Sequence, residues 1–200
     1  KFTLLIFFFI PFFLFSAKAE TINNFDYLNF EVVAGIKNFA ILKHFNNLSK
    51  VDRVINDENR RYLGANLVYN DEIIPISIRQ DGLGEEHFDN PFISQNTYKI
   101  RMKNGAYFQN MQEFRIVSAQ SVRHDIPIYA NKLLDVLNLP NPKQILAKID
   151  ISQDRLNKSS LNKIKYTHII EESIKDDFLD RNYLREGVLF KRDIFNSDGL

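Results

Sequence analysis

Short β-prone runs separated by Asn, Asp and Gly turns fill the middle of this 200-residue chain. Residues 62–68 and 73–79 flank a polar turn at 69–72, which predicts a β-hairpin. Residues 97–103 then alternate apolar side chains with cations and end at an Asn-Gly turn, 104–105. Because alternation with a period of two buries one face of a sheet, the pattern predicts a fold built around antiparallel strands.

Helices are predicted on both sides of these strands. Apolar residues recur near a 3.6-residue period over 38–55, which predicts one or two amphipathic helices, and again from Asp125 until Pro140 and Pro142 end the pattern. Together, the predicted strands and helices indicate an α+β fold, in which helices pack on an antiparallel sheet. Further strands are predicted at 113–117, 143–152, 164–170 and 187–191, and a short helix at 173–181.

The N-terminus has the pattern of a secretory signal peptide. Lys1 is followed by an almost unbroken apolar run over 2–15 and then by Ala-Lys-Ala at 17–19, so we predict cleavage after Ala19. The alternative is an uncleaved anchor, but a membrane span needs about 20 apolar residues and this run is shorter and interrupted by Pro11. The mature protein is therefore predicted to be exported to the periplasm, the cell surface or the medium, and to meet a membrane only during export.

Charge and composition exclude several classes of function. The chain has 26 basic and 25 acidic residues, and loss of Lys1 and Lys18 with the signal peptide changes the net charge from +1 to −1. This balance does not predict a nucleic-acid partner. Cysteine is absent, which excludes thiol catalysis and Cys-ligated metals. The four histidines lack metal-ligand spacing, so no metal site is predicted, and no Walker A, G-x-G-x-x-G or G-x-S-x-G motif occurs.

The strongest candidate site lies within residues 76–114. Lys99 and Arg101 lie on one face of the predicted strand 97–103, which follows a loop containing Gly82. Backbone amides and fixed cations together are what phosphate binding requires. The alternative is a solvated basic strand next to an ordinary turn, and the residues alone leave both interpretations open.

Six short segments along the chain form a pattern through their sequences and their order. They are ISIRQDG at 76–82, TYKIRMK at 97–103, MQEF at 111–114, Arg at 123, IEE at 170–172 and REGVLF at 185–190. In this order they resemble the CotH family of spore-coat-type atypical protein kinases, especially its exported bacterial relatives. The resemblance covers about residues 60–192 of the chain.

This resemblance implies a fold like the N-terminal lobe of a protein kinase and a division of the chain. Residues 1–19 would be the signal peptide, 20–59 a helical N-terminal segment, 60–192 the CotH-like lobe and hinge, and 193–200 the start of the following region. The family's metal-binding and catalytic acids lie in that following region. No catalytic residue is therefore assigned within this chain, and its activity as an enzyme stays open.

The resemblance also implies a function and a set of binding residues. The protein would use ATP with Mg²⁺ or Mn²⁺ to phosphorylate Ser or Thr of a protein substrate. Cations of the loop and strand would hold the phosphates, with Lys99 and Arg101 as alternatives for the strand cation, and acids at the hinge would contact the adenosine. The implied binding residues are Arg79, Gly82, Lys99, Arg101, Glu171 and Glu172.

Three further residues have two interpretations each. His87 would either orient the glycine-containing loop or cap it. Asp135 is the one acid well inside the second predicted helix, and it would either pair with a strand Lys or lie in solvent. Arg123 precedes that helix and would bind either backbone carbonyls and a carboxylate or the substrate.

Departures from the family pattern leave other functions open. Gln80 stands where the family has a loop Lys, and Asn110 stands where it has Gly before Met111. Loss of the loop Lys removes one charged partner of a phosphate. The alternative is a non-catalytic scaffold that keeps the kinase-like fold and binds a protein of the cell envelope or surface. A third possibility is an unrelated exported binding domain with an α+β core.

Overall fold

The computed structural model describes residues 27–82, 84–119, 125–153, 165–175, 178–179 and 182. Within these residues the chain forms seven β-strands and two α-helices. The strands are β1 (Leu28–Ala34), β2 (Leu63–Tyr69), β3 (Glu72–Gln80), β4 (Tyr98–Met102), β5 (Glu113–Ser118), β6 (Gln144–Gln153) and β7 (Tyr166–Glu172). The helices are α1 (Ile36–Asp52) and α2 (Asp125–Val136). The predicted signal peptide, Arg123, the strand at 187–191 and the region 193–200 lie outside the described residues.

The seven strands join into one closed barrel, in the order β1-β2-β3-β4-β5-β7-β6. Neighbouring strands are antiparallel except β1 and β6, which run parallel from the pair Leu28 and Ala147 to the pair Ala34 and Gln153. The prediction of an α+β fold resembling a kinase N-terminal lobe is therefore wrong. The sheet closes because β1, which lies in the segment predicted to be helical, pairs with both β2 and β6.

The individual elements follow the sequence pattern more closely than the architecture does. The predicted hairpin is confirmed as β2 and β3, and the predicted basic strand is confirmed as β4. The helical pattern over 38–55 is a single helix, α1, and the second predicted helix is α2. The strands predicted at 113–117, 143–152 and 164–170 are β5, β6 and β7. Of the helix predicted at 173–181, residues 178 and 179 are helical and most of the rest lies outside the described residues.

Alternation along the strands fills the barrel with apolar side chains. Phe30, Leu67, Ile76, Ile100 and Phe114 come from five different strands, and each is almost inaccessible to solvent. Burial of side chains of this size stabilises the fold by about 1.5–3 kcal/mol each. The residues between them point outward, and on β3, β4 and β5 many of these outward residues are charged.

The segment between β4 and β5 closes one end of the barrel. Phe108 and Met111 are buried, and each backbone N–H donates to the carbonyl of the other at 3.0 Å. Gln109 and Asn110 between them both have positive φ, 53° and 62°, as a tight two-residue turn requires. The ring of Phe108 packs edge-on against Phe30 with 5.2 Å between centroids. Asn110 thus has a backbone conformation that Gly adopts readily and Asn tolerates.

Helix α1 packs against the opposite end of the barrel through a hydrogen-bonded polar face. The side chain of Asn46 accepts from Gln80 Nε2 at 2.6 Å and from Asn96 Nδ2 at 2.7 Å, and it donates to the Tyr98 hydroxyl at 3.1 Å. Ser49 Oγ donates to Gln80 Oε1 at 3.0 Å. All five residues are buried, so these bonds replace the water that they lose on folding. Gln80, where the family has Lys, therefore lies inside the barrel.

Helix α2 packs on the outside of the barrel. Ile128 is its buried contact, and it lies against Leu146 of β6 and Ile169 of β7. Among the helices of the described residues, none has the length and apolar character needed to cross a membrane.

Candidate anion-binding site

Strand pairing places three cations side by side on the outer face of the barrel. Arg79 of β3 lies opposite Lys99 of β4, and Lys99 lies opposite Arg115 of β5. Glu171 of β7 continues this row beyond Arg115. The side chains of Arg79, Lys99 and Arg115 are 24%, 19% and 22% exposed. They therefore meet solvent, but their charges are screened less than those of fully solvated cations.

The carboxylate of Glu113 binds three cations next to this row. Lys99 Nζ lies 2.7 Å from Glu113 Oε1, and Arg101 Nε and Lys175 Nζ donate to Oε2 at 2.9 and 2.8 Å. Burial by itself would raise the pKa of Glu113, but hydrogen bonds from Lys175, Lys99 and Arg101 outweigh it and lower the pKa to about 2. Glu113 is therefore ionised at neutral pH and holds the three cations in place.

Two further carboxylates hold the remaining guanidinium groups. Arg115 Nε donates to Asp81 Oδ2 at 2.7 Å, and Arg115 Nη1 lies 3.5 Å from Glu171 Oε1. Arg79 Nη2 lies 3.9 Å from Asp81 Oδ1. Among the described residues, five cations thus surround three carboxylates, with two more positive than negative charges. The five cations are termed the basic cluster: Arg79, Lys99, Arg101, Arg115 and Lys175.

The aromatic ring of Tyr62 supports two members of the basic cluster. The guanidinium carbons of Arg79 and Arg101 lie 5.0 and 4.5 Å from the ring centroid, which is cation–π distance. Burial and then the nearby charge of Glu113 raise the pKa of Tyr62, so its hydroxyl stays protonated. The ring therefore limits the positions of both guanidinium groups without neutralising their charge.

A cavity of about 570 Å³ lies beside α2 and the start of β6. Asp135 and Lys143 contribute one charge of each sign to its lining, and Gln144 contributes an amide. Two hydrogen bonds organise this wall: Asn131 Nδ2 donates to the Pro142 carbonyl at 2.6 Å, and Asn141 Nδ2 donates to Asp135 Oδ1 at 2.9 Å. Asparagines dominate the rest of the lining: Asn110, Asn131, Asn138, Asn141 and Asn182.

No family model and no curated protein matches this chain. The resemblance to the CotH family stays a prediction that rests on the six short segments. The function is therefore argued from the geometry of the site.

Four of the six residues predicted to bind nucleotide share one face of the barrel. Arg79, Lys99 and Arg101 belong to the basic cluster, and Glu171 ends its row. Lys99 and Arg101, which were alternatives for one role, both bind Glu113. Glu172 differs from the other four because it is buried, and its carboxylate accepts from the backbone N–H of Lys143 at 3.0 Å.

Gly82 lies just beyond the end of β3 rather than in the row of cations. Its φ is +115°, and its carbonyl accepts from Arg60 Nη2 at 3.3 Å. His87 packs directly against it, since a Cβ atom built at Gly82 would lie 2.4 Å from the Cβ of His87. His87 Nδ1 lies 3.0 Å from Thr97 Oγ1, and burial lowers the pKa of His87. His87 therefore contacts both the loop and β4, and both interpretations of its role stay predictions.

Sequence reasoning missed Arg115 and all six carboxylate–cation contacts of the site. Arg115 could have been found from its position between Phe114 and Ile116. Because side chains alternate along a strand, two buried neighbours place Arg115 on the outer face. Asp135 does not pair with a strand Lys in the described contacts; its carboxylate accepts from Asn141. In the described part of the chain, no group of three or more His, Asp or Glu is arranged to hold a metal ion.

Proposed function

We propose that the barrel is a binding module for a phosphate-bearing ligand, which it holds on the outer face of β3, β4 and β5. The observation that carries this proposal is the row Arg79, Lys99 and Arg115 in direct strand register. Like charges directly opposite each other on a sheet are destabilising. Because the described cations of the cluster outnumber the described carboxylates by two, an anion placed over the row would reduce this repulsion.

The spacing of the row suits a phosphate group. Neighbouring strands are about 4.8 Å apart, so the backbones of Arg79 and Arg115 are separated by about 10 Å with Lys99 between them. Both guanidinium groups can donate two parallel hydrogen bonds to phosphate oxygens, and Lys99 supplies a central point charge. A phosphate or diphosphate centred on Lys99 would lie within reach of all three side chains.

The carboxylates have a positioning role in this proposal. Glu113 and Asp81 hold the cations in fixed geometries before a ligand arrives, so that less side-chain entropy is lost on binding. They also compete with the ligand for the same donors. The expected affinity for a simple phosphate is therefore modest, and the ligand must offer further contacts to bind tightly.

The resemblance to the CotH family favours ATP as the ligand and phosphoryl transfer to Ser or Thr of a protein substrate. The described residues do not fit the divalent metal that this reaction uses, because Asp81, Glu113 and Glu171 are each already paired with a cation. The alternative, a scaffold of the cell envelope, uses the same basic cluster to bind without transfer. Because the resemblance places the metal-binding acids beyond residue 192, this ion pairing bears on binding, and transfer is decided by the assay below.

The proposal is tested by calorimetric titration of the chain with inorganic phosphate and with ATP. We expect Lys99→Ala to weaken binding of either ligand about 10-fold or more, since a charge-assisted hydrogen bond contributes about 1.5–3 kcal/mol. Lys103→Ala is the matched control, because Lys103 lies four residues further along the chain, just after β4, and is exposed outside the cluster. Absence of binding, or equal affinities for the Lys99 and Lys103 variants, would contradict the proposal.

Phosphoryl transfer needs a separate assay. The chain is incubated with Mg²⁺ or Mn²⁺ and ATP labelled at the γ-phosphate, with itself and a Ser-rich protein as acceptors. ATP binding with no transfer of label would support the scaffold alternative. Transfer that is lost in Lys99→Ala and retained in Lys103→Ala would support the kinase.

A further inference from the structure

The row of charges on the outer face leads directly to the amide-lined cavity. Arg115 lies opposite Glu171, and Glu171 lies opposite Gln144, which lines the cavity. Side-chain contacts follow the same path, with 3.5 Å between Arg115 and Glu171 and 3.4 Å between Gln144 Nε2 and Glu171 Oε2. Two strand spacings, about 10 Å, therefore separate the basic cluster from the cavity.

The cavity has a different chemistry from the basic cluster. Among the described residues of its lining, Asp135 and Lys143 balance in charge, and amides supply most of the polar groups. An amide side chain both donates and accepts hydrogen bonds, which matches a hydroxyl group; an ionised phosphate accepts only, so it would leave the amide oxygens without a partner. Nucleobases are usually bound by stacking on aromatic side chains, and none of the described residues that line the cavity is aromatic.

We infer that this cavity is a subsite for the hydroxyl-rich part of the ligand, so that the protein binds a phosphorylated carbohydrate or alditol. The inference rests on the proposed phosphate site, which it completes: the phosphate lies over Arg115, the member of the row nearest to the cavity, and the hydroxyl groups enter the cavity past Gln144. A volume of about 570 Å³ lies in the range of small-molecule sites and accommodates one sugar residue with water.

Two asparagines of the cavity allow a substitution that leaves the backbone undisturbed. Asn110 and Asn138 are exposed and have positive φ, 62° and 52°. Gly adopts this conformation without strain, so Asn110→Gly with Asn138→Gly removes two amides and keeps the turns. The matched control is Asn70→Gly with Asn104→Gly, at exposed positive-φ positions (49° and 56°) that do not line the cavity.

The experiment titrates each protein with inorganic phosphate, glycerol 3-phosphate, ribose 5-phosphate and glucose 6-phosphate. We expect at least one of the three organic phosphates to bind 10-fold or more tightly than inorganic phosphate. The cavity variant should lose that advantage and keep its affinity for inorganic phosphate, whereas the control variant should match the original chain.

The outcomes separate this inference from the proposed function. Binding of inorganic phosphate with no gain for any organic phosphate would overturn the sugar subsite and leave the phosphate site standing. A gain that the cavity variant retains would also overturn the subsite. If no phosphate binds to any protein, both the phosphate site and the subsite fail.

Discussion

Glu113 neutralises three cations, so its substitution should change stability in a manner that depends on pH. Its pKa of about 2 in the folded protein lies below its usual value, so the carboxylate contributes stability that is present above about pH 4.5 and is lost as the pH falls toward 2. Glu113→Gln removes that contribution and leaves Lys99 and Arg101 without their counter-charge. We expect the free energy of unfolding at pH 7 to fall by about 1–3 kcal/mol, with solvent screening at the exposed cations keeping it in this range.

Urea unfolding at pH 7, 4.5 and 3 measures this effect. The difference between the original chain and Glu113→Gln should shrink as the pH falls below 4.5, because Glu113 is then protonated in the unfolded chain, whereas it keeps its charge in the folded protein until the pH nears 2. Glu72→Gln is the control, since Glu72 is an exposed acid outside the basic cluster. A difference that stays constant from pH 7 to 3 would show that Glu113 acts through packing and not through its charge.

Gln80 is the last residue of β3 and stands where the CotH family has a loop Lys. Replacement of Gln80 by Lys therefore tests whether this position can bind phosphate, as the resemblance implies. The Gln80 side chain is fully buried and bonded to Asn46 and Ser49 of α1. Gln80→Lys would place an unpaired ammonium group inside the barrel, and we expect the free energy of unfolding to fall by about 3 kcal/mol or more with no gain in phosphate affinity. Thermal unfolding and phosphate titration measure the two quantities.

The control for this substitution is Ser77→Lys. Ser77 lies on the same strand, points outward and is opposite Arg101. We expect this variant to keep its fold and to bind phosphate at least as well as the original chain, because the added cation lies on the outer face. A stable Gln80→Lys protein with stronger phosphate binding would contradict the inward position of Gln80 and favour the loop site that the resemblance implies.

The strands β2, β3 and β4 and the helix α2 could be predicted because their signals are local. Alternation and turn residues lie within each segment, and Asn104 and Gly105 both have the positive φ that their turn requires. β1 could not be predicted in this way, since its place depends on parallel pairing with β6, which is distant in sequence. The burial of Gln80 was hidden for the same reason, because its partners lie on another element.

The candidate site was predictable in part. Alternation alone turns Lys99 and Arg101 to one face, and the prediction of a basic face is confirmed at that level. The alignment of Arg79, Lys99 and Arg115 depends on the register between three strands. The same register brings Glu113 next to Lys99 and Asp81 next to Arg115. A single sequence contains the composition of each strand but not the alignment of one strand with the next.

The barrel is closed by β1, which pairs with both β2 and β6, so deletion of β1 tests whether the fold depends on closure. Removal of residues 1–34 separates β2 from β6 and exposes the interior that Phe30 and Val32 cover. We expect the shortened chain to lose cooperative unfolding and amide NMR dispersion. Removal of residues 1–26 is the control, because it leaves all seven described strands in place. A chain lacking residues 1–34 that unfolds at the original midpoint would show that the barrel does not need β1.

The closed barrel also restricts how other proteins can join this one. Every described strand has a hydrogen-bonded neighbour on both sides, so these strands leave no sheet edge with a free row of backbone donors and acceptors. A partner therefore cannot extend the sheet at these strands by β-augmentation, which is a common way for proteins to bind an extended peptide. Recognition through the seven described strands therefore uses their side chains, and the same closure removes from them the template on which edge-to-edge aggregation begins.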